Sequence, residues 1–229
     1  MKTMGVIQSI NIANPGQVTL ADNCKMFSGI HKKPVSGKIY LDTLGFNGDG
    51  VADPRHHGGE DKAVCVYCID HYPYWEKELG RKLRMGNFGE NLSVTGLNES
   101  RVHIGDIFRI GEAQVQCSQP RQPCHKLNKI FDLQEMACQV QTTGYSGYYL
   151  RVIEAGWVEP GAEIVFVHED KNRFSIEAAN DLMHKNKSDV EKIREILSID
   201  ALSTSWRETF QNRLEQKAPV DESLRLQGN

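Results

Sequence analysis

The chain has 229 residues, with 27 Lys and Arg against 30 Asp and Glu, a net charge of −3 at pH 7, and 39% hydrophobic residues. That length suits one domain of ordinary size, or one domain with a small appendage, and can bury a good core without covalent staples. The slightly negative balance excludes bulk attraction to nucleic acid or anionic lipid, and no stretch approaches the roughly 18–20 apolar residues of a membrane span.

The segment Met1-Lys2-Thr3-Met4-Gly5-Val6-Ile7 carries one charge and no apolar run long enough for a secretory signal. The expectation is a cytoplasmic protein whose six cysteines are thiols. Up to about Val167 the pattern is of short strands broken by glycine turns. Strands are expected at Met4–Ile10, Ala63–Ile69, Asn91–Val94, Ile107–Ile110, Ala113–Cys117 and Ile164–Val167. Turn signals separate them: Gly48-Asp49-Gly50, Gly105-Asp106, Gly111-Glu112 and Glu159-Pro160-Gly161. Many short strands so spaced predict a mainly β fold, a closed or nearly closed barrel. Inserted helices are expected over Asp70–Leu79 and Asp132–Gln141.

From Ser175 the periodicity turns helical, with Ile176, Ala179, Leu182 and Met183 at spacings of three and four. Ser188-Asp189-Val190-Glu191 and Ser205-Trp206-Arg207-Glu208 read as capping boxes opening two further helices. The division is therefore a barrel domain over 1–167 and a small three-helix subdomain with a polar, loosely ordered tail over 168–229. Three short helices resemble a DNA reader in outline, but the charges balance and no face is basic, so no nucleic-acid partner is expected.

Four stretches carry candidate chemistry. In Cys117-Ser118-Gln119-Pro120-Arg121-Gln122-Pro123-Cys124-His125-Lys126-Leu127, prolines stiffen a loop after a strand and three cationic or potentially cationic neighbours favour the Cys124 thiolate. Arg55-His56-His57-Gly58-Gly59-Glu60-Asp61-Lys62 offers backbone amides unshielded at Gly58 and Gly59, a forked donor in Arg55 and a point charge in Lys62. Adjacent histidines diverge, so at most one of His56 and His57 is expected to face the site. Gly86-Asn87-Phe88-Gly89-Glu90-Asn91-Leu92 adds two amides, Asn87 and Asn91, and the Glu90 carboxylate. In Gly144–Arg151, aromatic strand packing accounts for Tyr148 and Tyr149. Cys65 and Cys68 form a CxxC on an expected strand, where residues three apart point to opposite faces and cannot share a metal. Cys24, Cys117 and Cys138 read as packing residues.

Taken in this order, Arg55–Lys62 with Ala63-Val64, Asn87–Leu92, Gly105-Asp106, Ser118–Cys124 and Ser146–Val152 resemble the MOSC domain family over roughly residues 1–167. The helical region is similar to the three-helix appendage of the YiiM-like branch. The resemblance implies a β-barrel that binds the molybdenum cofactor (molybdopterin), with Cys124 as the protein's metal ligand. It implies that Arg55 and His57 line the same pocket and act in catalysis. Gly58, Gly59, Lys62, Asn87, Glu90, Asn91 and Arg121 join Arg55 and His57 as cofactor-binding candidates. The implied activity is reductive detoxification of small N-hydroxylated compounds such as hydroxylaminopurine. His57 is the expected proton donor, because an unperturbed histidine titrates near neutrality.

No iron–sulfur cysteine set or dinucleotide fingerprint is present, so electrons are expected from a separate reductase. No membrane partner is expected, and a homodimer is the working expectation for assembly. Two other readings stay open: a cofactor carrier or storage module without turnover, and a cysteine hydrolase or persulfide-transfer protein with His57 or His125 as base for Cys124.

Overall fold

The computed structural model describes residues 2–19, 25–216 and 222–228; the side chains of Arg55 and His56, and Cys24, lie outside the described residues. In chain order the strands are β1 (Lys2–Ile12), β2 (Gly16–Thr19), β3 (Lys25–Ser28), β4 (Lys33–Pro34), β5 (Ile39–Asp42), β6 (Gly45–Phe46), β7 (Val64–Cys68) and β8 (Leu92–Thr95). They continue with β9 (Ile107–Ile110), β10 (Ala113–Pro120), β11 (Tyr148–Glu154), β12 (Gly156–Val158) and β13 (Glu163–His168). The helices are α1 (Pro54–His57), α2 (Tyr72–Leu79), α3 (Lys126–Phe131), α4 (Met136–Thr143), α5 (Ile176–His184), α6 (Val190–Leu197), α7 (Thr204–Leu214) and α8 (Ser223–Gln227).

The barrel closes in the order β1-β13-β9-β10-β11-β7-β8 and back to β1. All pairings are antiparallel except β7 with β8. A parallel pair needs a crossover rather than a hairpin, and residues 69–91, which contain α2, supply it. The six expected strands are all present. The barrel strand β11 was foreseen only as aromatic strand packing at Tyr148 and Tyr149, and β4, the hairpin β2–β3 and the small sheet β12-β5-β6 were not foreseen; the strands of these last are only two to four residues long, too short to show a period of two.

Alternation along the barrel wall decides what each face meets. On β7, Val64, Val66 and Cys68 point into the barrel core with Ile10, Val94, Val115 and Leu150. Tyr67 points outward, into an aromatic cluster with Trp75, Phe88, Leu127 and Phe131. Tyr67 stacks on Phe88 at 4.1 Å between ring centroids and accepts a hydrogen bond from Trp75 Nε1 at 2.6 Å. Both faces of β7 are thus buried, which explains its unbroken apolar run.

Three helix starts differ from expectation. Asp132 ends α3 in the left-handed region (φ 52) instead of opening a helix. The expected helix over Asp132–Gln141 is replaced by α3, a turn, and α4 closed by Gly144. In the C-terminal region Ser175 caps α5 as its sequence suggests, accepting from Ala178 N at 3.0 Å. The other two caps shift: Asp189, not Ser188, caps α6, and Ser203, not Ser205, caps α7. Ser203 also donates its backbone N–H to Ser118 O at 3.1 Å, so contact with β10 fixes where α7 begins.

The three helices expected in the C-terminal region are α5, α6 and α7, with the short α8 as a fourth, but they do not stand apart from the barrel. Ile176, Leu182, Ile196, Trp206 and Phe210 belong to the same buried cluster as the barrel core. Truncating Trp206, 1% exposed, would cost ~3–5 kcal/mol. The tail is not loosely ordered over 222–228: α8 packs back on the loop after β10. Cys138, expected to be a packing residue, is exposed.

Candidate active site

A cavity of about 290 Å³ lies against the outer wall of the barrel. Its floor comes from Cys65 on β7 and Tyr149 on β11, outward-facing neighbours of the core residues Val64, Val66, Tyr148 and Leu150. Cys65 and Tyr149 sit opposite each other in the β7–β11 ladder. The expected CxxC geometry holds: Cys68 faces the barrel core while Cys65 faces the cavity.

One wall is the loop from Pro54 to Lys62. The short helix α1 hands the chain to Gly58, where a Cβ would come within 2.9 Å of Pro54 O. Gly59 follows with φ 94, a backbone conformation that side chains disfavour. A single 3₁₀ turn over Glu60–Lys62 then delivers Lys62 to the cavity. Asp61 anchors this turn. Its Oδ1 accepts Arg151 Nη2 at 2.6 Å and Arg151 Nε at 3.1 Å. Its Oδ2 accepts Thr204 N at 3.0 Å, and its carbonyl accepts Ser118 Oγ at 2.6 Å.

A second part of the lining is the loop after β10, which brings Arg121, Gln122, Cys124 and Lys126 to the same space. Arg121 N donates to Gly147 O at 3.0 Å, so the chain leaves the ladder only after this residue. Cys124 is half-buried, and its carbonyl accepts Leu127 N at 2.9 Å at the start of α3.

The electrostatics are dominated by cations. Burial, then Lys126, Arg121 and Lys62, hold the His57 imidazole down to about 4, against a weaker pull from Asp53. His57 is therefore neutral at neutral pH, not the half-protonated shuttle expected from an unperturbed ring. Burial also lowers Lys62, with Asp61 opposing it. Burial works against the Arg121 charge, but Cys65, Tyr149, Cys124 and Glu90 around it raise it overall. Burial pushes the Cys65 thiol up, with Arg121 opposing.

The sequence candidates separate into two groups. His57, Gly58, Gly59, Lys62, Asn91, Arg121 and Cys124 line one cavity. Glu90 and Asn87 do not. Glu90 is fully buried, and its carboxylate accepts Gly86 N at 2.8 Å, Phe88 N at 3.0 Å, Tyr72 Oη at 3.0 Å and Ser93 Oγ at 2.7 Å. Asn87 Oδ1 accepts Arg84 N at 2.5 Å within its own turn. Asn91 reaches the wall with its amide committed. Its Oδ1 accepts Cys65 N at 3.0 Å, and its Nδ2 donates to Asp49 Oδ2 at 2.7 Å and to Asn11 O at 3.2 Å. His125 does not line the cavity.

The sequence reading missed Lys32, Asp49, Cys65 and Tyr149. Lys32 and Asp49 form a nearly buried ion pair on the rim, and Asp49 also accepts Ala13 N at 2.8 Å. Lys32 carries no local signal. Asp49 sits between glycines in what reads as an ordinary turn. Cys65 and Tyr149 were legible in principle, as the outward positions of two strands flanking the glycine loop.

Among the described residues no group of three or more His, Cys, Asp or Glu converges to hold a metal ion. A metal here would bring most of its own ligands and take a thiolate from the protein. The donor set fits such a group: one half-buried thiol, several cations suited to phosphate, and glycine amides beside them.

Residues 53–165 match the family model for the MOSC domain, and residues 175–217 match that for the YiiM-like 3-alpha helix domain. "Uncharacterized protein YflK" of Bacillus subtilis (strain 168) is 46% identical over 215 residues, covering 94% of this chain and 97% of its own. "Protein YiiM" of Escherichia coli (strain K12) is 41% identical over 204 residues, covering 88% and 91%. A protein named "Reductase" from Gibberella moniliformis (strain M3125 / FGSC 7600) is 33% identical over 153 residues, 65% of this chain but 27% of that longer protein. The crystal structure of YiiM from Geobacillus stearothermophilus superposes with a TM-score of 0.79 at 38% identity, over 92% of this chain and 99% of that one. The chain belongs to the MOSC domain family, in its YiiM-like branch.

Proposed function

We propose that the cavity binds a molybdopterin-type molybdenum cofactor through Cys124, and that the loaded protein reduces small N-hydroxylated compounds such as hydroxylaminopurine. The observation that carries this reading is a half-buried thiol sharing one cavity with Arg121, Lys62, Lys126 and the Gly58-Gly59 amides. Membership of the MOSC family and the reductase-named relative support it.

In this reading Cys124 Sγ is the soft ligand to the metal, and Lys62, Arg121 and the glycine amides receive the cofactor's phosphate. When bound, the cofactor supplies the redox chemistry that removes the oxygen of an N–OH group. His57, neutral at working pH, positions the substrate's N–OH by a single hydrogen bond. Turning N–OH into N–H and water consumes two electrons and two protons; the protons come from solvent, and Lys62 stays with the phosphate. Electrons come from a separate reductase.

The test is turnover. Protein purified from a host that makes molybdopterin is given an artificial reductant and hydroxylaminopurine, and amine product is measured. Amine formation that is lost in Cys124→Ser supports the reading. Stable cofactor binding with no turnover would make the protein a carrier, and activity in metal-free protein would make it a cysteine enzyme.

A further inference from the structure

The loop that carries Cys124 is held from outside by the far C-terminal end of the chain. His125 N donates to Arg225 O at 2.7 Å, and Arg225 Nη1 donates to Pro123 O at 2.6 Å. The two residues flanking Cys124 are thus tied to one residue of α8. Asn128 Nδ2 adds a bond to Leu226 O at 2.9 Å. The other fork of Arg225, Nη2, donates to Gln141 Oε1 on α4 at 2.7 Å and to Glu222 Oε2 at 2.9 Å. Glu222 in turn accepts Lys187 Nζ at 3.1 Å from the end of the α5 region. The contact is close-fitting: Gly228, with φ 77, lies where a Cβ would come within 2.8 Å of His125 Cγ.

We propose that Arg225 is a positioning residue for Cys124: its forked guanidinium ties the Pro123 carbonyl to Gln141, so that α8 fixes the ligand loop against the cavity. A metal-ligand side chain on a loop between two prolines and a short helix needs such support, because its partners must be held within a fraction of an ångström. The planar fork is what one cation needs to bridge three acceptors on separate elements. The inference rests on the reading of Cys124 as the metal-binding thiolate; the hydrogen bonds themselves do not.

The test compares Arg225→Ala, Arg225→Lys and, as a control on the same helix, Leu224→Ala, whose side chain is 65% exposed. Full-length proteins are purified from a host that makes molybdopterin. Amide hydrogen exchange over residues 121–129 is read against exchange over β7, and molybdenum retained per chain is measured after gel filtration. Arg225→Ala is expected to speed exchange at His125 and Leu127 by about tenfold or more, with β7 unchanged. It is expected to lower retained molybdenum by about tenfold, on the scale of losing a supporting contact to a metal ligand. Arg225→Lys should recover only a minor part, and Leu224→Ala should match the wild type.

Wild-type exchange over 121–129 in Arg225→Ala, equal acceleration over β7, undiminished molybdenum despite a loosened loop, or full recovery with Lys would each overturn the proposal. If the wild type itself holds no molybdenum, the cofactor reading fails. The exchange comparison still decides whether Arg225 holds the loop.

Discussion

Two buried charged regions lie near Cys65, and they are finished differently. Around Glu90, two backbone amides and two hydroxyls turn inward on one carboxylate, and the region closes on itself. Around Arg121, the cations Lys62, Lys126 and Arg121 and the Cys124 thiol turn toward open space. The first pattern is how a fold uses a buried charge, since both carboxylate oxygens meet donors within the protein. The second leaves charge and donors facing a cavity, which is how a protein prepares for an anionic ligand. The sequence presents both as polar, glycine-containing loops; only the hydrogen-bond partners separate them.

That contrast breaks most sharply at Cys124. Cys124→Ser should lower retained molybdenum and N-hydroxyl reduction by at least about two orders of magnitude, beyond the range for groups that only support a ligand. Thermal unfolding should stay close to wild type, because the thiol faces a cavity and not a packed core. A variant that lost its fold along with its metal would place Cys124 among the structural residues.

Glu90→Gln should show the opposite profile. It removes charge from four hydrogen bonds in a buried site, at a cost of ~2–4 kcal/mol read as a shift in urea midpoint. Metal content per folded molecule should not change. Wild-type stability with lost cofactor would move Glu90 back into the binding set.

His57 gives the contrast a pH dependence. Its folded value of about 4 lies below the ordinary 6.5. A histidine lowered on folding binds its proton more readily when unfolded, so stability falls as pH drops from 6.5 through 4. The loss approaches ~3 kcal/mol once both states are protonated. Urea unfolding at pH 7 and at pH 4.5 should show this loss in apoprotein and a smaller one in His57→Asn. Equal acid sensitivity in both would mean that His57 is not the buried neutral ring described above.

The smallest effect belongs to Lys62. Lys62→Met should weaken cofactor binding about tenfold to a hundredfold, the loss of one charge-assisted contact worth ~1.5–3 kcal/mol. Stability should change less than binding, since the Asp61 carboxylate ties the turn to Arg151 and Thr204. Unchanged affinity would leave Lys62 as a solvated charge at the cavity edge.

How much of this was legible in the sequence follows from the range of each signal. The barrel strands were readable because β1, β7, β9, β10 and β13 each show either alternation or an unbroken β-branched run between turn residues. The Cys124 and Gly58-Gly59 loops were readable because proline and glycine mark backbone geometry directly. Glu90 was misread because its four partners come from residues that are unexceptional alone. The end of α3 was hidden because Asp132 adopts a left-handed conformation that composition does not announce. Arg225 was hidden for a different reason. It meets the Pro123 carbonyl and the His125 N–H across about a hundred residues of chain, and backbone partners leave no trace in a sequence.

The central claim is that Cys124 anchors a molybdenum cofactor in the outer-wall cavity. The most direct measurement is molybdenum and pterin content of wild type and Cys124→Ser, expressed in a host that makes the cofactor and purified identically. About one molybdenum and one pterin per wild-type chain, with both reduced to background in folded Cys124→Ser, is the predicted result. Equal content in the two proteins, or none in a wild type that still reduces N-hydroxylated substrate, would contradict it.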